Sequence, residues 1–233
     1  MTGSLVAAVT VSIPAGYHSG WYRTTQARTT PKRGPRPPTH RPYTPNVDPS
    51  GATSPSAEDF PAIVEVVVEI PRGSRNKYEW DERAGVFRLD RVLFSAVHYN
   101  FDYGFISDTR AGDGDHTDAL LLIDEPTFPG CRVWARPIGG LEMRDDKGED
   151  FKVLCVAVGD PHQAHVESLD NVRPHRLIEI EHFFTTYKDL EAKATDVVGW
   201  RGAARAREVL VADRSRHRAE SRHEAGEPTP TRE

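Results

Sequence analysis

Three carboxylates fall within six residues at Asp113-Gly114-Asp115-His116-Thr117-Asp118, directly ahead of the apolar run Ala119-Leu120-Leu121-Leu122-Ile123. A short apolar run of this length reads as a buried strand. At about 5 Å and an effective dielectric near 20, each like-charge pair costs about 3 kcal/mol. A chain that sets such repulsion beside a buried strand needs a counter-charge there. Oxygen-only ligands suit a hard cation, magnesium ahead of zinc. For the motif in isolation, a solvated acidic turn is the alternative. A calcium loop of EF-hand type is excluded by spacing, because that loop wants glycine at its sixth position and Asp118 stands there.

Charge and composition narrow the rest. The net charge is −5 over 233 residues, but residues 1–60 hold six Lys/Arg against three Asp/Glu, leaving the remainder at −8. An acidic body argues against nucleic-acid binding, which needs a basic face for phosphates. Nine of the 18 prolines also lie in residues 1–60. That stretch cannot bury enough apolar surface to offset its ordering entropy, so it is expected to be a disordered extension, or the product of an upstream start codon. The charged end, residues 213–233, is expected to be loose as well. Cys131 and Cys155 lie in apolar runs and make neither a disulfide framework nor a zinc knuckle, which points to packing residues in a reducing compartment. No apolar stretch reaches membrane-spanning length. Leu5–Ile13 is apolar, but no basic residue precedes it and no convincing cleavage site follows, so a cytoplasmic location is expected.

Between the tails, residues 61–212 carry the folded pattern. Val64, Val66, Val68 and Ile70 alternate with Glu65, Val67 and Glu69, the period-2 mark of a strand. Further strand-like runs at Asn76–Trp80, Val86–Asp90, Ala119–Asp124, Arg132–Arg136 and Lys152–Val158 are separated by turn residues. Short strands at this spacing predict a small antiparallel barrel. Leu177, Ile180, Phe184 and Tyr187 then recur with helical period, predicting a helix from Pro174 to Leu190, and Ala203–Ala212 offers a second. The fold class is mainly β with flanking helices, α+β. Met143, Phe183 and Phe184 read as core, and His162 and His165 as surface histidines.

Charged residues interrupt otherwise apolar strands in two complementary sets. The acidic set is Glu69, Glu79, Asp113, Asp115, Asp118, Asp145 and Asp150; the basic and phenolic set is Lys77, Arg91, Lys152, Lys188, Tyr99, Tyr103 and Tyr187. Converging, they would cradle metal ions against a small, densely charged anion such as a polyphosphate.

The order and spacing resemble the soluble family I inorganic pyrophosphatases, particularly the bacterial form. The resembling stretches are Val68-Glu69-Ile70-Pro71, Asn76-Lys77-Tyr78-Glu79, Leu89-Asp90-Arg91, Tyr99 through Ile106, the hexapeptide Asp113–Asp118, Arg136-Pro137-Ile138-Gly139, Asp145 through Lys152, and His182 through Glu191. The resemblance implies a closed five-stranded barrel of OB type with flanking helices, and hydrolysis of inorganic diphosphate to two orthophosphates. It implies several magnesium ions, with manganese or zinc as substitutes, and a homo-oligomer, a hexamer in bacterial relatives, with no nucleic-acid or membrane partner. By position it makes Asp115 the general base and Glu69, Asp113, Asp118, Asp145 and Asp150 the metal ligands. Lys77, Arg91, Tyr187 and Lys188 match the phosphate-binding groups, supported by Glu79, Tyr99, Tyr103 and Lys152. The family's hexapeptide has proline and then an aliphatic residue after its second Asp; here His116 and Thr117 stand there, and Asn100 replaces a usual proline. Two other readings of the same residues are an OB-type binder of single-stranded nucleic acid, which would need a basic barrel face, and a degenerate enzyme kept as a partner.

Overall fold

A computed structural model describes residues 55–145, 148–191 and 195–224. The disorder expected of residues 1–54 lies outside the described residues. Of the remainder of that expected extension, Ala57–Asp59 form a single 3-10 turn capped by the Ser56 hydroxyl.

Among the described residues the strands are β1 (Val64–Ile70), β2 (Asn76–Asp81), β3 (Val86–Val92), β4 (Asp102–Ile106), β5 (Thr117–Leu122), β6 (Arg132–Asp145), β7 (Gly148–Ala157) and β8 (Asp196–Gly202). Helix α1 spans Pro174–Thr186 and α2 spans Ala203–Glu224. The order β1-β4-β5-β7-β6 closes on itself through a β1–β6 pairing, making a ring of five strands, and β8 continues along the same edge of β6 beyond β1, from Gly139 to Arg144. β2 and β3 form a separate two-stranded hairpin. The sequence predicted an antiparallel barrel, and the ring departs from that at one seam: β5 and β7 run parallel, pairing Ala119 with Val153 and Leu122 with Val156.

Both faces of β5 and β7 are covered, which is why their sequences read as continuous apolar runs. On one face Ile70, Leu120, Leu122, Leu154 and Val156 pack with Tyr99, Phe101, Tyr103 and the α1 residues Ile180, Phe183 and Phe184. On the other, Val64, Val66, Val68, Ala119, Leu121, Val153 and Cys155 pack with Ala206 and Leu210 of α2. Met143 is 1% exposed, and His162 and His165 are exposed, as the sequence suggested. Cys155 is buried and burial pushes its thiol up, whereas Cys131 is half-buried.

Sequence patterning missed β4 because a buried carboxylate and a glycine interrupt it. Asp102 is fully buried and accepts from the Arg72 amide at 2.7 Å, the Thr127 amide at 2.9 Å and the Thr127 hydroxyl at 2.6 Å. At Gly104 a Cβ would lie 2.0 Å from the Val67 carbonyl oxygen, so β1 and β4 can meet only over a hydrogen. Helix α1 stops at Thr186 instead of Leu190, with Tyr187 as its cap and a turn at Asp189–Glu191. The loose tail expected from Asp213 is replaced by twelve further residues of α2 up to Glu224. Their charges are spent on the loop after β4: Asp213 is 2% exposed, Arg216 donates to the Arg110 carbonyl at 2.9 Å, and Glu220 pairs with Arg110 at 3.1 Å. Among the described residues, no helix is long and apolar enough to cross a membrane.

Candidate active site

The parallel register of β5 and β7 sets Asp118 beside Lys152, each one residue before the Ala119–Val153 pair. Lys152 Nζ lies 2.5 Å from Asp118 Oδ2, 2.8 Å from Asp150 Oδ2 and 3.5 Å from the Tyr103 hydroxyl. Its stem passes the Phe184 ring, with Nζ 5.3 Å from the ring centre. Burial alone would push its pKa down; Asp118 and Asp150 outweigh that and hold the ammonium charged well above the usual lysine range. Tyr103 and Tyr99, both buried, sit 5.6 Å apart between ring centres. Burial first, and then Asp118 for Tyr103 and Tyr187 for Tyr99, keeps both phenols protonated.

A second group hangs on β1 and the hairpin. Glu69 accepts from the Trp80 amide at 2.8 Å, tying β1 to β2. Burial pushes its carboxyl up to about 7, with Asp118 adding to the rise and Lys77 opposing it. Lys77 contacts Glu79 and lies 3.5 Å from Asp90. Arg91 lies across the hairpin from Lys77 and is gripped by Glu191 at 2.9 Å and by Asp90. Tyr187, buried at the end of α1, has Lys188 Nζ 5.3 Å from its ring centre.

The third group is the loop 107–116 between β4 and β5, with Asp113 and Asp115 exposed on it. The Asp115 amide donates to Asp113 Oδ1 at 3.1 Å across Gly114, whose φ of +89° is the left-handed region that glycine favours. His116 is packed and paired at three points. Its ring stacks on Phe105 at 4.6 Å, its Nδ1 lies 2.8 Å from the Thr109 carbonyl, and its Nε2 lies 2.5 Å from Glu82. Asp145 ends β6 opposite Gly148.

The structure therefore brings Asp118, Asp150, Lys152, Tyr99 and Tyr103 together directly, and links Glu69 to Asp118, Lys77 and Glu79 through their fields. Among the described residues, no three His, Cys, Asp or Glu side chains stand as a ready-made metal cage. Lys152 stands between Asp118 and Asp150 instead. The donor chemistry still fits a hard cation, because every candidate ligand is a carboxylate. Asp90 and Glu191, which fix Arg91, were visible only as parts of longer motifs, and Asp213 gave no signal, lying in a stretch that reads as tail.

Residues 66–218 match the Pyrophosphatase family, described as inorganic pyrophosphatase. The chain belongs to that family. Inorganic pyrophosphatases similar to it include those of Nostoc sp., 53% identical over 62% of this chain and 85% of that protein, and of Methanosarcina acetivorans, 51% identical over 66% and 92%. The crystal structure of inorganic pyrophosphatase from Thermus thermophilus is 43% identical, covers 71% of this chain and 97% of that one, and superposes with a TM-score of 0.69. The matched region contains every inorganic pyrophosphatase candidate residue named from the sequence.

Proposed function

We propose that the chain hydrolyses inorganic diphosphate to two orthophosphates, with the five-strand ring serving as an OB-type barrel that presents the site. The observation that carries this reading is the buried Lys152, charged between Asp118 and Asp150 and walled by two protonated tyrosines, inside a region that matches the family from end to end. A site so rich in fixed charge of both signs suits a substrate that is itself a dense anion accompanied by cations.

Asp115 is exposed on its loop and takes the proton of the attacking water. The water oxygen forms a bond to one phosphorus as the bridging P–O bond breaks, and the second phosphate departs. Lys77, Arg91, Tyr187 and Lys188 hold the phosphoryl oxygens and spread the charge that develops on the departing group. Glu79 and Asp90 keep Lys77 and Arg91 extended, while Lys152 sets the spacing of Asp118 and Asp150. Glu69, Asp113, Asp118, Asp145 and Asp150 are the residues that would hold magnesium. When bound, it would supply positive charge against the phosphoryl oxygens and make a water more acidic. Assembly as a homo-oligomer belongs to the same reading.

The test is orthophosphate release from diphosphate by the full chain, with magnesium and then with chelator. Magnesium-dependent turnover is expected, with a loss of at least about 100-fold in Asp115→Asn. No turnover by a folded, magnesium-binding chain rejects the reading.

A further inference from the structure

One residue of α2 bonds to Arg110 and to Thr117, on either side of the segment 111–116 that carries Asp113 and Asp115. At the entry, the Arg110 amide donates to the Asp213 carbonyl at 3.1 Å. At the exit, the Thr117 hydroxyl donates to Asp213 Oδ2 at 2.6 Å. The two ends are also tied to each other, since the Thr117 amide donates to Thr109 Oγ1 at 3.0 Å. Both members of the exit contact are enclosed, Thr117 at 1% and Asp213 at 2% exposure. Asp213 in turn is held by Arg216, which donates to the Arg110 carbonyl at 2.9 Å, and Arg110 reaches the Gly114 carbonyl at 3.0 Å inside the loop.

We propose that Asp213 is a positioning residue for the reaction: a clasp from α2 that fixes both ends of the loop and so sets where the Asp115 carboxylate stands. The argument is geometric. A loop of this length pinned at one end leaves its tip free to swing, whereas pinning both ends to a single helical residue removes most of that freedom before substrate arrives. A buried carboxylate without donors would be costly; Arg216 satisfies Asp213 Oδ1, and the hydroxyl at 117 supplies the donor that Oδ2 needs on the side of the loop. An aliphatic residue at that position has no hydrogen to give. Thr117 is thus the partner that joins Asp213 to the exit of the loop, and the two are expected to behave as one unit.

The inference rests on the reading of Asp115 as the base. It is tested on the full chain with Thr117→Val, Thr117→Ser, Asp213→Ala and the Thr117→Val/Asp213→Ala pair, by steady-state kinetics on diphosphate and amide exchange of residues 109–116. Thr117→Val and Asp213→Ala are expected to lower kcat about tenfold with KM changed less than twofold, and to speed exchange in the loop by a similar factor. Thr117→Ser keeps the hydroxyl and should restore both. The pair should lose no more than either single change. Thr117→Val with kcat and loop exchange within twofold of the unmodified chain overturns the clasp, as does a melting temperature that falls while kcat holds. An unmodified chain that releases no orthophosphate instead overturns the enzyme reading itself, and with it any catalytic role for the clasp.

Discussion

Lys152→Met in the metal-free chain is a direct test of how the centre is held together. Methionine keeps most of the volume of the lysine stem, so packing against Phe184 and Tyr103 is preserved and the loss is that of the ammonium. Removing one partner of a buried ion pair costs about 3–5 kcal/mol, because the other charge stays behind uncompensated. Here two carboxylates stay behind, but their side chains are 29% and 26% exposed, so water takes up part of the load. The lower end of the range, about 3 kcal/mol, is therefore expected. For a chain of this size that corresponds to a fall in Tm of roughly 6–12 °C. Thermal and urea unfolding with chelator at pH 7.5 measure it. Added magnesium should then stabilise the variant more than the unmodified chain, since a cation between Asp118 and Asp150 replaces the missing charge. A loss below about 1 kcal/mol, or equal stabilisation of both chains by magnesium, would refute the account of Lys152 as the counter-charge.

Glu69 gives a pH signature. Its carboxyl binds a proton more tightly folded than unfolded, with a pKa of about 7 against the ordinary 4.5. Metal-free stability should therefore fall as pH rises from about 4.5 to about 7, by at most about 3 kcal/mol. Glu69→Gln, compared by urea midpoint at pH 5 and pH 8, should flatten most of that slope, with Asp213, also raised by burial, contributing a remainder. Gly104→Ala should cost more than about 3 kcal/mol or abolish soluble expression, because its methyl would meet backbone and not a movable side chain. Circular dichroism of a folded variant with unchanged Tm would contradict the 2.0 Å approach. Asp102→Leu should cost about 3 kcal/mol by leaving the Arg72 and Thr127 donors unpaired, and Asp102→Asn less; urea unfolding distinguishes them.

What the sequence disclosed was whatever repeats with a period. The alternation in β1, the apolar runs of β5 and β7 and the helical spacing of α1 all follow from burial of one face or two, and each element is present, although α1 ends at Thr186 and β5 and β7 begin at Thr117 and Gly148, ahead of their apolar runs. Elements held by single specific contacts were illegible. β4 hides behind Asp102 and Gly104, whose roles are set by Arg72, Thr127 and Val67 from distant parts of the chain. β8 is half-exposed and glycine-bearing, so it offers no alternation. The second half of α2 is nearly all polar, and its stability comes from charges reaching back to Arg110 and Thr117 across about a hundred positions, a distance over which no local pattern can speak. The charged centre was legible in composition, as acids and bases on apolar strands. That Lys152 would stand between two of those acids was not, because the parallel neighbouring of β5 and β7 is a property of topology alone.

Closure of the five-strand ring has a further consequence for how damage spreads. An open sheet can fray from its edge strand while the middle holds, so its parts have separate lifetimes. In the ring each strand has a neighbour on both sides, β1 lying between β4 and β6, and no end exists from which to unzip. Opening one seam exposes the two faces together. Glu69, Asp118 and Lys152 stand on three strands of that hoop, so these three share one fate: a distant core substitution reaches them as a shorter lifetime of the whole ring, whereas the hairpin and the Asp115 loop can be disturbed on their own.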